Sequence, residues 1–118
     1  MKSPSHDLTV FGATSFVGQI LTRYLFGQFG AHDGLKWALA GRSEQKLQRL
    51  RSSLGPKAAR LPIVVADAAD ADALEALCGQ TRVVISTVGP YALYGEPLVK
   101  ACAETGTDYC DLTGEAQW

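Results

Sequence analysis

The stretch Leu8-Thr9-Val10-Phe11-Gly12-Ala13-Thr14-Ser15-Phe16-Val17-Gly18 decides the fold of this chain. Its first four residues read as a short buried strand, and the two glycines enclose a turn that leads into a helical pattern. The first N–H groups of a helix have no intrahelical partner, and the helix dipole places partial positive charge there. The turn is therefore a candidate phosphate site, with an ordinary strand-to-helix turn as the alternative.

The segment after the turn has the spacing of an amphipathic helix. Apolar residues at i, i+3, i+4, i+7 and i+8 predict one face directed at the core. These residues are Val17, Ile20, Leu21, Tyr24 and Leu25.

Four more apolar runs alternate with helical patterns downstream. They predict strands over residues 36–40, 62–66, 83–88 and 109–112, in addition to 8–11. Their nearly continuous apolar character is typical of parallel strands covered on both faces. Right-handed crossovers then give an α/β, Rossmann-type doubly wound parallel sheet, with strand order 3-2-1-4-5 and helices on both faces. The 118 residues are expected to form a single domain, 1–118.

Polar and special residues predict where the remaining helices begin and end. Ser43 is the expected N-cap of the second helix. Asp72 is expected to cap the third, which should end at Gly79. Pro97 suits the first turn of a fourth helix that closes at Gly106.

Composition excludes several classes of function. Hydrophobic residues make up 47% of the chain, charged residues 19%, and the net charge is -1. This is a globular composition without the basic excess that nucleic acid or an anionic membrane would favour. No apolar run approaches the roughly 18 residues of a membrane span, and the polar N-terminus lacks a signal core, so a cytoplasmic location is expected.

The cysteines and histidines suggest no metal centre. Cys78, Cys102 and Cys110 are widely spaced, which argues against a disulfide framework or a zinc site. Cys110, inside a predicted strand, is expected in the core, and His6 and His32 at the surface.

The predicted topology places the glycine turn where strand order reverses, which is where open α/β sheets bind ligands. A dinucleotide site is therefore expected. Gly12 would allow the tight turn and Gly18 the close approach of the helix, while Ser15 adds a hydroxyl that could cap the helix or bond a phosphate. The predicted contacts in this loop are Gly12, Thr14, Ser15, Phe16, Val17 and Gly18.

The end of the second strand indicates which dinucleotide is bound. It carries no Asp or Glu to accept a ribose 2'-hydroxyl, whereas Arg42 offers a charged fork for a 2'-phosphate, with the Ser43 hydroxyl beside it. NADP(H) is therefore favoured over NAD(H). A methyltransferase is disfavoured because it would need an acidic residue at the end of the second strand, where Arg42 stands. A solvated surface arginine is the alternative. Asp67, after the third strand, would face the adenine, with capping or solvation as alternatives.

The residues after the fourth and fifth strands would complete the cleft. Thr87, Val88, Gly89, Pro90 and Tyr91 are predicted to line the nicotinamide half, although Gly89-Pro90 is also a strand terminator. For Asp111, Gly114 and Glu115, substrate contact and structural hydrogen bonding both remain open.

Several motifs together resemble the saccharopine dehydrogenase-like oxidoreductases, and within them the trans-acting enoyl reductases. They are the glycine turn, residues 37–43 (Trp-Ala-Leu-Ala-Gly-Arg-Ser), residues 87–99 (Thr-Val-Gly-Pro-Tyr-Ala-Leu-Tyr-Gly-Glu-Pro-Leu-Val) and residues 108–115 (Asp-Tyr-Cys-Asp-Leu-Thr-Gly-Glu). Ser15 stands where that family usually has glycine.

This resemblance implies NADP(H)-dependent hydride transfer to a C=N or C=C bond, on a Rossmann domain followed by a larger substrate domain. Because the sequence ends at Trp118, we expect a cofactor domain with little turnover alone, which either forms a homo-oligomer or lacks its C-terminal domain. No tyrosine has a lysine four residues later, so short-chain dehydrogenase chemistry is not encoded and the catalytic residues stay unassigned. The alternative function is a non-catalytic NADP(H)-sensing module that binds a partner.

Overall fold

Five parallel strands form the sheet that carries the glycine turn. The computed structural model describes residues 4–31, 34–87 and 91–111, with residues 91–96 and 111 described by their backbone alone. The strands are β1 (His6–Phe11), β2 (Trp37–Gly41), β3 (Ile63–Val65), β4 (Thr81–Ser86) and β5 (Asp108–Asp111). Their order is β3-β2-β1-β4-β5, so the predicted doubly wound, Rossmann-type topology is confirmed.

Four helices and one short 3-10 turn connect these strands. They are α1 (Phe16–Phe29), α2 (Glu44–Ser53), the 3-10 turn Pro56–Ala58, α3 (Ala71–Gly79) and α4 (Tyr91–Thr105). In the part of the chain that the structure describes, none of the helices is long and apolar enough to cross a membrane.

The sheet separates two apolar clusters, one on each face. Phe11 of β1 and Val84 of β4 pack with α3 and α4 on one face. Val10 of β1 and Leu39 of β2 pack with α1 and α2 on the other. Consecutive residues of β1 thus point to opposite faces, as the pleat requires, and β1 is buried between two helical layers.

The predicted core face of α1 is partly wrong. Val17, Ile20 and Tyr24 are exposed, although Leu25 is buried as expected. The buried residues of α1 are Gly18, Thr22 and Leu25, and Leu21 packs half-buried against the same cluster, as predicted. Small side chains at two of these positions let the helix axis approach β1 closely, and the helical spacing of the other apolar residues could not reveal this.

Two helix ends differ from the expected positions. Ser43 caps α2 as predicted, with its Oγ accepting from Lys46 N at 3.2 Å. The N-cap of α3 is Asp70 rather than Asp72, because Asp70 Oδ1 accepts from Ala73 N at 3.1 Å. Helix α3 also includes Gly79, and its C-cap is the following residue.

Helix α4 begins six residues before the proline that was expected near its start. It runs from Tyr91, so that Pro97 lies inside the helix. A proline there lacks an N–H and crowds the preceding turn, which is why sequence alone favours the first turn. Gly106, with φ of 71°, follows the last helical residue as predicted.

His6 and Cys110 differ from their expected burial. His6 begins β1 and is half-buried; burial lowers the pKa of its imidazole, and the nearby Asp7 carboxylate opposes the shift. Cys110 is exposed on β5 rather than in the core. Cys78 and Cys102 are buried between α3 and α4, with their sulfurs 3.4 Å apart. Within 4–31, 34–87 and 91–111 there is no cluster of potential metal ligands, and His32 lies outside these residues.

Candidate cofactor site

An open cleft of about 410 Å³ lies at the carboxyl ends of β1, β2 and β3. Three loops line it, and each leads from one of these strands to the next helix. This is the edge at which doubly wound sheets bind ligands. The lining residues predicted from sequence are Gly12, Thr14, Ser15, Arg42, Ser43 and Asp67.

The glycine loop is held against β2 by backbone hydrogen bonds. Gly12 N and Ala13 N both donate to Ala40 O, at 2.9 and 3.1 Å. Gly12 has φ of 82°, a conformation that side chains disfavour. A Cβ at Gly18 would overlap Gly12 O and lie 2.8 Å from the carbonyl carbon of Ala13. The roles predicted for Gly12 and Gly18, tight turn and close helix approach, therefore have a direct geometric basis.

Two hydroxyl groups fasten this loop to the end of β4. Ser15 Oγ accepts from Gly18 N at 2.9 Å and lies 3.0 Å from Thr87 Oγ1. Thr87 Oγ1 is also 2.7 Å from Gly12 O. Because a hydroxyl has one proton, the arrangement is satisfied when Thr87 donates to Gly12 O and Ser15 donates to Thr87. We call this series of bonds the Ser15–Thr87 hydroxyl chain.

Of the two roles considered for Ser15, the structure shows the helix cap, because its Oγ accepts from Gly18 N. When its proton is donated to Thr87, the backbone N–H groups of the loop remain as the candidate phosphate donors. Thr87 is buried, with its hydroxyl directed at the loop.

The β2–α2 loop brings cations to the opposite wall of the cleft. Arg42 and Lys46 both line it, and both are exposed. Neither forms an ion pair with any residue in the described ranges. The sequence reasoning missed Lys46, although its position three residues after the Ser43 cap, in the first turn of α2, could have placed it beside Arg42.

Asp67 lines the third side of the cleft. Its Oδ1 accepts from Ala69 N at 2.9 Å, and its carbonyl accepts from Asp70 N at 3.0 Å. The carboxylate therefore shapes the turn into α3 through one oxygen. The other oxygen is available to a ligand.

The remaining predicted site residues either do not line this cleft or lie outside the residues that the structure describes. Phe16 and Val17 are in the first turn of α1, exposed and not among the residues lining the cleft. Tyr91 begins α4, and Asp111 ends β5. The residues outside the described ranges are Val88, Gly89, Pro90, Gly114 and Glu115.

Comparison with known protein families identifies the family to which this Rossmann-type domain belongs. The family model described as the saccharopine dehydrogenase NADP binding domain matches residues 8–117. The chain belongs to this family. Its cofactor is NADP(H), in agreement with the preference inferred from Arg42 and from the lack of an acid at the end of β2.

Curated relatives of this NADP-binding domain are considerably longer. The chain is 49% identical over 109 residues to the trans-acting enoyl reductase of Mycobacterium leprae, and 49% over 111 residues to that of Mycobacterium tuberculosis H37Rv. Each match covers 92% of this chain and 25% of the relative. The chain thus spans about a quarter of the length of these relatives.

Solved structures share the fold of the domain at low sequence identity. Apo saccharopine dehydrogenase (L-Glu forming) from Saccharomyces cerevisiae superposes with a TM-score of 0.72 at 22% identity, over 95% of this chain and 22% of that one. A short-chain dehydrogenase/reductase from Veillonella parvula in complex with NADP gives 0.65 at 17% identity, over 90% and 46%. These likenesses establish the fold alone.

Proposed function

We propose that this domain binds NADP(H) in the cleft between its β1, β2 and β3 loops and serves hydride transfer to a C=C bond within a larger reductase. The observation that carries the proposal is that one cleft is lined both by the glycine loop at the N-terminus of α1 and by Arg42 and Lys46, two cations that form no ion pair with the described residues. This separation of a phosphate loop from a cationic wall fits a dinucleotide with an additional phosphate.

The glycine loop would hold the pyrophosphate. The first turn of α1 directs backbone N–H groups at this position, and the helix dipole favours negative charge there. The overlap expected for any side chain at Gly18 shows how closely helix and loop are packed. The loop is thus organised before the ligand arrives, because the Ser15–Thr87 hydroxyl chain already fixes it to β4.

The β2–α2 and β3–α3 loops would hold the adenosine half. Arg42 and Lys46 would bind the 2'-phosphate, with Arg42 offering two parallel donors and Lys46 a point charge. Ser43 Oγ accepts from Lys46 N, which leaves its hydroxyl proton for the same phosphate. Asp67 would accept from the adenine amino group through its second carboxylate oxygen.

The nicotinamide half would lie across the switch point, along residues 87–91. In this proposal Thr87 acts through the glycine loop, and Val88, Gly89, Pro90 and Tyr91 border the ring. The cofactor supplies the hydride; the described residues bind and orient it. The name of the curated relatives supports a C=C acceptor, whereas the C=N acceptor stays a prediction from the family resemblance.

The test of binding is a calorimetric titration of the chain with NADPH, NADH and S-adenosylmethionine. We expect NADPH to bind at least tenfold more tightly than NADH, and S-adenosylmethionine not to bind. Equal affinity for the two nicotinamide cofactors would contradict the 2'-phosphate assignment.

The alternative is a sensing module that binds NADP(H) without turnover. A longer protein that carries this domain separates the two functions, because a reductase oxidises NADPH when an enoyl substrate is added and a sensor does not.

The proposal also includes a second domain or a second copy of the chain, which would supply the pocket for the substrate that is reduced. The cytoplasmic location stays a prediction from composition.

A further inference from the structure

Within residues 4–31, 34–87 and 91–111, no helix covers β4 and β5 on the face of the sheet that carries α1 and α2. Val83 and Ile85 of β4 pair in register with Leu8 and Val10 of β1. Register partners in a parallel sheet share a face, so these β4 residues lie on the side of α1 and α2. Both are only half-buried there, whereas Val84, on the opposite face, is fully buried with α3 and α4.

The direction of the chain explains this opening. Helices α1 and α2 connect strands that proceed from β1 toward β3, and α3 and α4 connect strands that proceed the other way. Right-handed crossovers place the two pairs on opposite faces. No helix in the described residues therefore covers β4 and β5 on the α1 side, which is why Cys110, in register with Ile85, is exposed.

Helix α1 exposes a second apolar face beside this opening. Phe16, Ile20 and Tyr24, at i, i+4 and i+8, are 80%, 56% and 62% exposed. They lie about opposite to the face that packs on the sheet. A helix that is apolar on two faces is typical of one enclosed on both sides.

The neighbours of α1 show which flank borders the opening. Gln19 and Arg23 line a groove shared with α2, so that flank is already occupied. The other flank carries Val17, 41% exposed, and Tyr24. By helical geometry these two side chains lie on the flank of α1 that is turned away from α2, and β4 is on that side of β1.

We propose that this surface is the docking site for an apolar-faced helix from the additional polypeptide of longer family members. We name it the β4–β5 cleft, formed by Val17, Tyr24, Val83 and Ile85, with Phe16 and Ile20 on the adjoining outer face of α1. It goes beyond NADP(H) binding and does not depend on it.

The lengths of the relatives and the size of the patch support this occupant. This domain corresponds to 25% of each curated relative, so those proteins contain additional polypeptide that is available to cover this surface. Phe16, Ile20 and Tyr24 expose on the order of 400 Å², a large share of the roughly 600 to 1,500 Å² of an interface between domains. Exposed apolar patches of this size mark interaction surfaces.

Charge further specifies the occupant. Among the described residues on the β4 and β5 side of the cleft, Asp108 is the charged one, in register with Val83. An occupying helix is therefore apolar along one stripe and carries a basic or neutral residue opposite Asp108. A helix with an acidic stripe would be repelled.

The test compares the chain alone with a chimaera in which it replaces the N-terminal quarter of the Mycobacterium tuberculosis relative. Tyr24→Ser should lower the melting temperature of the chimaera by roughly 2 to 4 °C, the shift typical of a modest loss of stability. At a concentration at which the chain alone is monomeric, the same substitution should leave its melting temperature unchanged, because Tyr24 is exposed there and no association contributes to stability. Val65→Ser, at an exposed apolar residue of β3 away from the cleft, is the matched control and should change neither protein.

Sedimentation velocity of the same proteins distinguishes this occupant from a second copy. The chain alone should self-associate through its uncovered cleft, and Tyr24→Ser should make it monomeric. The chimaera should not self-associate through this surface. A chimaera dimer broken by Tyr24→Ser would assign the cleft to a second copy and overturn the proposal. Equal melting shifts in both proteins, a strictly monomeric chain at high concentration, or a chimaera that fails to fold would also overturn it.

Discussion

In our proposal, single residues at the mouth of the cleft determine how this domain discriminates between NADP(H) and NAD(H). Arg42 was identified from the sequence because it follows β2 where an acid would otherwise accept a ribose hydroxyl. Lys46 became evident only in the structure, one helical turn further along the same wall. Both cations are free of ion pairs with the described residues, so binding an anion breaks no existing interaction.

Substituting these cations should weaken NADPH binding selectively. A charged hydrogen bond contributes about 1.5 to 3 kcal/mol, so Arg42→Ala should cost about ten- to a hundredfold in NADPH affinity while barely changing that for NADH. Lys46→Ala should act in the same direction by about three- to tenfold, because a solvated point charge contributes less. Calorimetric titration measures both. Arg60→Ala, at an exposed arginine away from the cleft, is the control, and parallel losses for both cofactors would contradict the assignment.

Ser15 stands where the family usually has glycine, and the structure shows which contacts its side chain makes. It caps α1 and bonds Thr87, which is 72 residues away in sequence. A glycine at this position would preserve the turn but lose both interactions.

The Ser15–Thr87 hydroxyl chain should be measurable as a coupling energy. Ser15→Ala should lower the free energy of unfolding by about 1 kcal/mol through the lost cap, and by up to about 1 kcal/mol more through the lost bond to Thr87. Thr87→Ser, which keeps the hydroxyl, should be nearly neutral. A double-mutant cycle with Ser15→Ala and Thr87→Val, followed by urea unfolding, gives the coupling. Additive effects of the two substitutions would show that the hydroxyls do not interact.

At the scale of elements, the ends of the helices were harder to place than the helices themselves. The Asp70-Ala71-Asp72 segment offers two possible caps, and both satisfy the sequence pattern. The turn before α3 selects Asp70, because Asp67 O accepts from Asp70 N at 3.0 Å and orients this residue ahead of the helix.

The choice of cap predicts different effects for two neighbouring aspartates. Asp70→Ala should destabilise the domain by about 1 kcal/mol, since Ala73 N loses its acceptor. Asp72→Ala removes only a charge near the helix N-terminus and should cost about 0.3 to 0.5 kcal/mol. Urea unfolding of both variants checks the difference. A larger loss from Asp72→Ala would mean that the helix begins later, as the sequence pattern suggested.

At the scale of the whole molecule, stability should depend on pH through His6. Burial lowers the pKa of this imidazole below its ordinary value of 6.5, so the unfolded chain binds the proton more readily than the folded one. The free energy of unfolding should therefore decrease as the pH falls through 6.5, and this contribution should level off below the folded pKa. Urea unfolding at pH 5.5 and 7.5 measures this change. His6→Asn should reduce it, and a stability that rises on acidification through this range would contradict it.

Much of the molecule could be predicted because local rules act repeatedly along it. Apolar runs separated by helical patterns specify the alternation of strands and helices, and crossover handedness then leaves one strand order. Strand boundaries shifted by one or two residues because they depend on pairing: β4, for example, begins at Thr81, where it pairs with His6, before its strongest apolar run.

Most of the candidate site followed from the same rules, because the carboxyl ends of β1, β2 and β3 meet at one edge. Gly12, Arg42 and Asp67 are far apart in sequence, yet the topology alone brings them to the same cleft. Lys46 was not foreseen because a lysine on an exposed helix is ordinarily solvated. Lys46 becomes a candidate ligand only because the structure places it in the same cleft as Arg42 and the glycine loop.

The sequence by itself determined the glycine turn and the preference for NADP(H), because each depends on residue type and spacing within a short segment. It also determined the strand order, because the alternation of strands and helices combined with right-handed crossovers allows one order. The tertiary structure decided which face of α1 packs on the sheet, that Ser15 bonds Thr87, and that none of the described helices covers β4 and β5 beside α1. The physical reason is that these features depend on contacts between segments distant in the chain, where the size of Gly18 and Thr22 outweighs the helical spacing of larger apolar residues.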